Sequence, residues 1–182
     1  MIETKRLILR LWKKEDYKPF AVINADPRVM EYFPKPLSQT ESDQLATRIQ
    51  TDLEKQGWGL WAAMEQSTEQ FIGFIGLDPV SPSLPFAPAT EVGWRLSFNS
   101  WGKGYATEGA TACLHYAFQT LELPEIVSFT AENNLRSRRV MERIGMHHDP
   151  QDDFDHPKLP EGHPLKRHVL YRITNQRGKS PA

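Results

Sequence analysis

The sequence predicts a mixed α/β fold, and three observations carry that expectation. Strand-like runs and helix-like stripes alternate along the chain. A glycine-bearing strand-to-helix junction lies near its middle. Its 182 residues suit one domain with room for its own core. At the junction, Glu91-Val92-Gly93-Trp94-Arg95-Leu96 reads as a strand rich in apolar and aromatic side chains. After it, Ala106, Ala110, Cys113, Leu114, Ala117, Phe118 and Leu121 recur at three- and four-residue spacing, the stripe of an amphipathic helix. Between them stand Trp101-Gly102-Lys103-Gly104-Tyr105-Ala106-Thr107-Glu108. Two glycines there let the backbone turn tightly and bring its N–H groups close to a ligand. The helix N-terminus adds unpaired donors and a partial positive charge, so the junction suits a phosphate.

The remaining elements follow in order. Leu7 to Trp12 reads as a strand, and Lys13 to Asn24 as a helix with Glu15 and Asp16 in its first turn. Asp26-Pro27 forms a cap followed by a first helical residue, which predicts a short helix ended by Pro34 and Pro36. Ser38-Gln39-Thr40-Glu41 is a capping box, and the helix it starts turns Leu45, Ile49 and Leu53 inward until Gly57 stops it. Trp58–Glu65 and Phe71–Leu77 pair as a hairpin through a polar turn. Four prolines make Asp78–Ala89 a loop, either bordering the active site or lying on the surface. Glu125–Ala131 is a strand, Leu135–Ile144 a helix ended by Gly145, and His168–Ile173 the last strand. The segment 147–164 is long, acidic and proline-punctuated, and it holds four of the six histidines. Residues 1–175 are read as one domain and 176–182 as a polar C-terminal tail.

Composition narrows the function. With a net charge of −1, the chain carries no electrostatic footprint for nucleic acid or an anionic membrane. One cysteine leaves no internal disulfide framework and fits a reducing compartment. No run approaches the roughly 20 apolar residues of a membrane span. A cytoplasmic protein is expected, its oligomeric state open.

Two nucleotide motifs fail at the junction. A Walker A loop needs Ser or Thr after Gly-Lys, but Gly104 follows Lys103, and it needs a glycine where Ser97 stands. A dinucleotide fingerprint starting at Gly102 needs glycine at position 107, which is Thr107. The stretch resembles instead the acetyl-coenzyme A loop of the GNAT superfamily of N-acetyltransferases, whose last part is here Gly104-Tyr105-Ala106. Trp101 departs from that loop's Gln or Arg, as in the RimJ/RimL-like branch, where Trp-Gly-x-Gly-Tyr-Ala is common. Glu3-Thr4-Lys5-Arg6-Leu7-Ile8-Leu9-Arg10 looks like that branch's first strand and Glu91-Val92-Gly93-Trp94 like its fourth. Asn133 to Ser137, followed by Glu142-Arg143-Ile144-Gly145-Met146, is similar to its second cofactor-contacting segment.

The resemblance implies a central twisted, mostly antiparallel sheet with helices on both faces. It also implies direct transfer of acetyl from acetyl-CoA to a primary amine. Protein N-terminal amines are the leading acceptors, small amines the second, and a non-catalytic acyl-CoA-binding module a third reading. Amines attack only when neutral. At pH 7 an α-amine of pKa ~7.7 loses about 1 kcal/mol to protonation, a lysine of pKa ~10.4 about 4.6. Glu91 matches the family's strand glutamate and is the candidate base; the alternative is a structural carboxylate. Ser137 is the candidate acid for the departing thiolate, since the family's usual tyrosine position is Met141 here. The resemblance assigns the pyrophosphate to the backbone of Trp101, Gly102, Lys103, Gly104, Tyr105, Ala106 and Thr107. Pantetheine falls to the main chain of Leu96, Ser97 and Phe98 and to Asn134 and Ser137, with Asn134 equally suited to cap a helix.

His147, His148, Asp153, Asp155, His156, His163 and His168 show no zinc spacing, so no metal is expected. The loop that carries most of them looks enlarged beside the resembled family's hairpin of the last two strands and is expected to shape the acceptor pocket, with Asp155 or His156 as an alternative base. Cys113 reads as a core residue. Trp58 and Trp61 read as packing rather than groove.

Overall fold

Apolar-rich strands and two long helical stripes build the domain around one sheet. The structure, a computed structural model, describes residues 1–175; the predicted tail 176–182 lies outside them. Its strands are β1 (Ile2–Glu3), β2 (Leu7–Arg10), β3 (Leu60–Glu65), β4 (Gln70–Pro79), β5 (Thr90–Leu96), β6 (Glu125–Ala131), β7 (His147–His148), β8 (Phe154–Asp155) and β9 (Arg167–Thr174). They order as β1-β2-β3-β4-β5-β6-β9-β7, with β8 also on β9. Every pairing is antiparallel except β5 with β6. The helices are α1 (Tyr17–Ala25), α2 (Gln39–Gln56), α3 (Tyr105–Gln119) and α4 (Leu135–Arg143).

The two sheet faces take different helices. Phe20 of α1 packs edge-on against Phe74 of β4 at 5.9 Å between ring centres, and also meets Trp12 and Phe71. On the other face α3 lies so close to β4 that a Cβ at Gly109 would stand 2.4 Å from Ile75 Cδ1. Phe74 and Ile75 are consecutive, so they point to opposite faces. The expected arrangement, helices on both faces of a mostly antiparallel sheet, is the one observed.

α2 follows its sequence signals closely. Ser38 Oγ accepts the Glu41 N–H, the Glu41 carboxylate accepts the Ser38 N–H, and Gly57 ends the helix in the left-handed region. Ile49 and Leu53 are buried. Three expectations need correction. The strand predicted over Leu7–Trp12 ends at Arg10, because Trp12 leaves the ladder to donate its indole N–H to the Leu60 carbonyl. The helix predicted from Lys13 is a 3-10 turn over Lys14–Asp16, and α1 begins only at Tyr17. Asp16 turns inward there, paired through both oxygens with Arg10 at 2.7 and 2.9 Å. No helix forms after Asp26-Pro27. The Asp26 carboxylate is taken by Arg28, and the chain makes turns that bury Val29 and Met30 against Ile23.

The proline-rich segment carries the end of β4 and then folds inward. Val80 and Leu84 are buried with Phe86, Phe129, Phe154 and Leu170 in a second apolar cluster. Cys113 is fully buried, as expected of a core residue. Trp61 is buried edge-on to Tyr116, and Trp58 packs on the main core. Among the described residues, no helix is long and apolar enough to cross a membrane.

Candidate active site

The site begins where two neighbouring strands part. β5 and β6 share one register pair, Glu91 with Val127, and Ser128 Oγ donates to the Val92 carbonyl at 2.9 Å. Beyond Val92 no pairing follows. Gly93–Leu96 on one side and Phe129–Ala131 on the other line a cavity of about 990 Å³. A strand edge left open in this way presents main-chain donors and acceptors to an extended ligand.

One end of the cavity is the glycine junction. Gly102 and Gly104 hold φ of 73° and 81°, the left-handed region that only glycine enters cheaply. Gly104 is the N-cap of α3, and the N–H groups from Gly102 to Thr107 meet no protein acceptor among the described residues. Arg6 holds the loop in place, donating to the Lys103 carbonyl at 2.8 Å and pairing with Glu108 at 2.7 Å. Glu108 sits in the first turn of α3, where a carboxylate is favoured by the helix dipole. Unpaired amides, a helix N-terminus and an open strand edge fit a long, phosphate-bearing thioester such as acetyl-CoA.

Trp101, Gly102, Lys103, Gly104, Tyr105, Ala106, Thr107, Leu96, Asn134 and Ser137 all line the cavity; Ser97 and Phe98 do not. The Ser97 N–H is spent on the Ile72 carbonyl, and Phe98 is exposed with Arg28 stacked on its ring. Trp101 donates its indole N–H to the Leu96 carbonyl at 3.0 Å, and Arg136 lies over its ring. Asn134 takes the capping role and lines the cavity. Its Oδ1 caps α4 by accepting the Ser137 N–H, while its Nδ2 donates to Ser137 Oγ and Thr130 Oγ1. Ser137 Oγ therefore accepts from Asn134 and keeps its own proton to donate. Met141, at the family's tyrosine position, is buried at the cavity wall.

Glu91 lies on the cavity wall, half-buried, with no hydrogen bond or ion pair to any described residue. Burial, with the neighbouring charge of Asp78, pushes its carboxyl up to about 8, and Arg48 opposes the shift. Asp78 stands directly across the strand pair, itself raised by burial, with Arg48 of α2 at 3.8 Å. Of the two bases proposed from the loop, His156 reaches the cavity and Asp155 does not; Asp155 faces Arg167 at 3.6 Å. His156 and His168 lie 4.9 Å apart between ring centres, and burial lowers the pKa of both. Lys158, Leu159 and Leu165 of the enlarged loop also line the cavity, whereas of the proline-rich segment only Asp78 does. Among the described residues no group of three or more His, Cys, Asp or Glu gathers as a metal would require.

Sequence reasoning passed over Arg48, Asp78 and Arg95. Strand alternation would have placed Arg95 on the Glu91 face, and helical spacing would have placed Arg48 beside Leu45 and Ile49. Nothing local marks Asp78, which enters through the register of β4 on β5.

Comparison with known proteins agrees with this geometry. Residues 6–147 match the acetyltransferase (GNAT) domain. An FsC-acetyl coenzyme A-N(2)-transacetylase of Aspergillus fumigatus is 34% identical over 165 residues, covering 85% of this chain and 67% of its own. An acetyltransferase of Agrobacterium tumefaciens superposes with a TM-score of 0.75 at 30% identity, covering 94% of this chain and 92% of that one. A GNAT-family acetyltransferase of Bacillus anthracis reaches a TM-score of 0.79 at 23% identity, over 96% and 98%, a likeness of fold. Unpaired phosphate-ready amides, parted strands and a domain-long match lead to one conclusion: the chain belongs to the GNAT acetyltransferases, enzymes that take their acetyl group from acetyl-CoA.

Proposed function

We propose that this enzyme acetylates a primary α-amine, that of a peptide or protein N-terminus, by direct transfer in a ternary complex with Glu91 as general base. The observation that carries this reading is the Glu91 carboxyl, unpartnered on the cavity wall and held up to about 8. A carboxylate of pKa about 8 matches an α-ammonium near ~7.7, so once Glu91 is ionised, which costs about 1.4 kcal/mol at pH 7, the proton moves at almost no further cost. From a lysine near ~10.4 the same transfer is uphill by about 3 kcal/mol.

Acetyl-CoA supplies an acetyl thioester open to attack by a neutral amine. In this reading the Gly102–Thr107 amides hold its pyrophosphate, and Leu96 with the open edge of β5 holds its pantetheine arm. Glu91 takes one proton from the α-ammonium, and the freed amine attacks the thioester carbonyl to form the C–N bond. The C–S bond breaks, and the proton that the nitrogen then sheds reaches the departing sulfur through Ser137, which gives its own proton, oriented by Asn134, and takes that one in return. Trp101 to Ala106 support a place in the RimJ/RimL-like branch.

The second reading, a small-molecule amine, draws on the enlarged loop. His156, Lys158 and Leu159 narrow the cavity from one side, and the Aspergillus fumigatus relative is named for transfer to an N(2) nitrogen. Thiol release separates the readings when lysine-free peptides with a free N-terminus are compared with Nα-blocked lysine peptides and with small amines. The α-amine peptides should show at least tenfold higher kcat/KM. Equal or better turnover of the blocked lysine peptides would overturn the α-amine assignment.

A further inference from the structure

Arg95 is a cation without a counterion. It sits on β5 four residues from Glu91, so the two side chains share a face, with Cα atoms roughly 13 Å apart. Its neighbours on that face are Phe74, directly across the strand pair, and Phe33, whose ring centres lie 5.5 and 4.2 Å from the guanidinium carbon. Nη1 donates to Asn24 Oδ1 at 2.7 Å. Asn24 is fully buried and is fixed in turn by donating to Ser42 Oγ at 2.9 Å. Nε is buried and meets no acceptor, and no described carboxylate lies within ion-pair distance of the group. Nη2 has no partner either, yet it is not sealed off, and the residue lines the cavity.

Such an arrangement is costly. A desolvated guanidinium ordinarily has a carboxylate beside it, because the charge loses its water and needs a replacement. Here burial alone acts, drawing the group down to about 10. The cavity's own acids do not answer the need: Asp78 is engaged by Arg48, and Glu91 stands at the far end of the face. With Nη1 anchored to Asn24, the remaining donors, Nε and Nη2, form one edge of the planar fork, whose spacing matches the two oxygens of a carboxylate. Phe33, in a turn outside the sheet and partly exposed, has its ring against the guanidinium carbon, and Nη2 stays open at the cavity.

We infer that the acceptor carries a carboxylate, which Arg95 binds while the amine lies at the Glu91 end of the same strand face. The inference rests on the acetyl-transfer reading above for the position of the amine. It narrows the acceptor to an amino acid or short peptide with a free C-terminus, or a peptide with an acidic side chain near its N-terminus.

The test uses glycine, diglycine and triglycine beside their C-terminal amides, with thiol release at saturating acetyl-CoA. For at least one length, the free acid should exceed its amide tenfold or more in kcat/KM, through KM. Arg95→Gln should bring that ratio close to one, while Arg95→Lys, which keeps the charge, retains part of it. Acids and amides used equally at every length by the wild type would overturn the inference. So would a loss in Arg95→Gln that is equal for acid and amide. Thermal shift with the N-acetylated acids and amides reads the same site without catalysis. Stabilisation by the acid alone, lost in Arg95→Gln, supports the carboxylate site even if no amine is acetylated, which would instead sink the α-amine reading. If Arg95→Gln does not fold, the wild-type comparison of acid with amide still decides.

Discussion

Glu91 connects a backbone position to a chemical property. The strand pair sets it opposite Asp78, the parting of β5 from β6 opens it to the cavity, and the absence of a partner leaves its charge uncompensated. That state has a consequence for stability. The folded carboxyl holds its proton up to about 8, the unfolded one only to about 4.5. Between these values the native state binds the extra proton, so stability falls as pH rises through the window and levels off above it. Asp78 is shifted in the same direction by burial and adds to the decline, while Arg48 acts against both. Chemical denaturation from pH 5 to 8.5 should therefore show Glu91→Gln gaining stability relative to wild type as pH increases. A constant difference across that range would mean that Glu91 is not held protonated by the fold.

Residue types legible in the sequence were those whose partners lie nearby. Ser38 and Glu41 are three positions apart, and their reciprocal capping follows from spacing alone. Asn134 and Ser137 form the same kind of local pair. Arg95 is different: its anchor Asn24 lies 71 positions away, and what defines it is a missing carboxylate, which no sequence pattern displays. The helix expected after Asp26 failed for a local reason. Asp26 makes its capping bond to the Arg28 N–H, but Pro34 leaves too little chain beyond it for a nucleus that fixes several residues per bond.

At the scale of elements, the enlarged loop between α4 and β9 is a structural part of the site. It returns twice to the same strand, as β7 and as β8, and from between β8 and β9 it sends Lys158, Leu159 and Leu165 to the cavity. Phe154 fastens its base, edge-on to Phe86 and Phe129 at 5.0 and 5.9 Å. Deleting 157–162 spares that anchor. This change should raise the acceptor KM at least fivefold and leave the acetyl-CoA Kd within twofold, measured by thiol release and calorimetry. An unaltered acceptor KM would separate the loop from acceptor binding. The junction before α3 is the opposite case, fixed by Arg6 and Glu108 and open only through its amides. Two glycines between a strand and a helix mark this junction in the sequence. The sequence points the loop at the acceptor pocket but does not say which of its side chains line the cavity, because histidines and aspartates spread over a long segment carry no spacing that a pocket imposes.

Across the whole molecule, the sheet divides labour between its faces. α3 and α4 cover one and present the glycine turn with its unpaired amides, while α1 and α2 cover the other and bring Arg48 and Asn24 to the face of Glu91 and Arg95. The parted strands join the two through one cavity, so a thioester and an amine can meet across β5. Alternation and caps predicted most of these elements to within a few residues, and the resemblance implied the mostly antiparallel sheet with helices on both faces. The electrostatics of the acceptor face arises only when β4, β5, α1 and α2 are assembled, and so it lay beyond local reading.

The central claim is that Glu91 accepts the amine's proton, and turnover of Glu91→Gln at saturating acetyl-CoA and an α-amine peptide tests it most directly. The account predicts a kcat at least tenfold below wild type, a loss of about 1.4 kcal/mol in transition-state stabilisation, with the acetyl-CoA Kd unchanged. Wild-type kcat in that variant would contradict it.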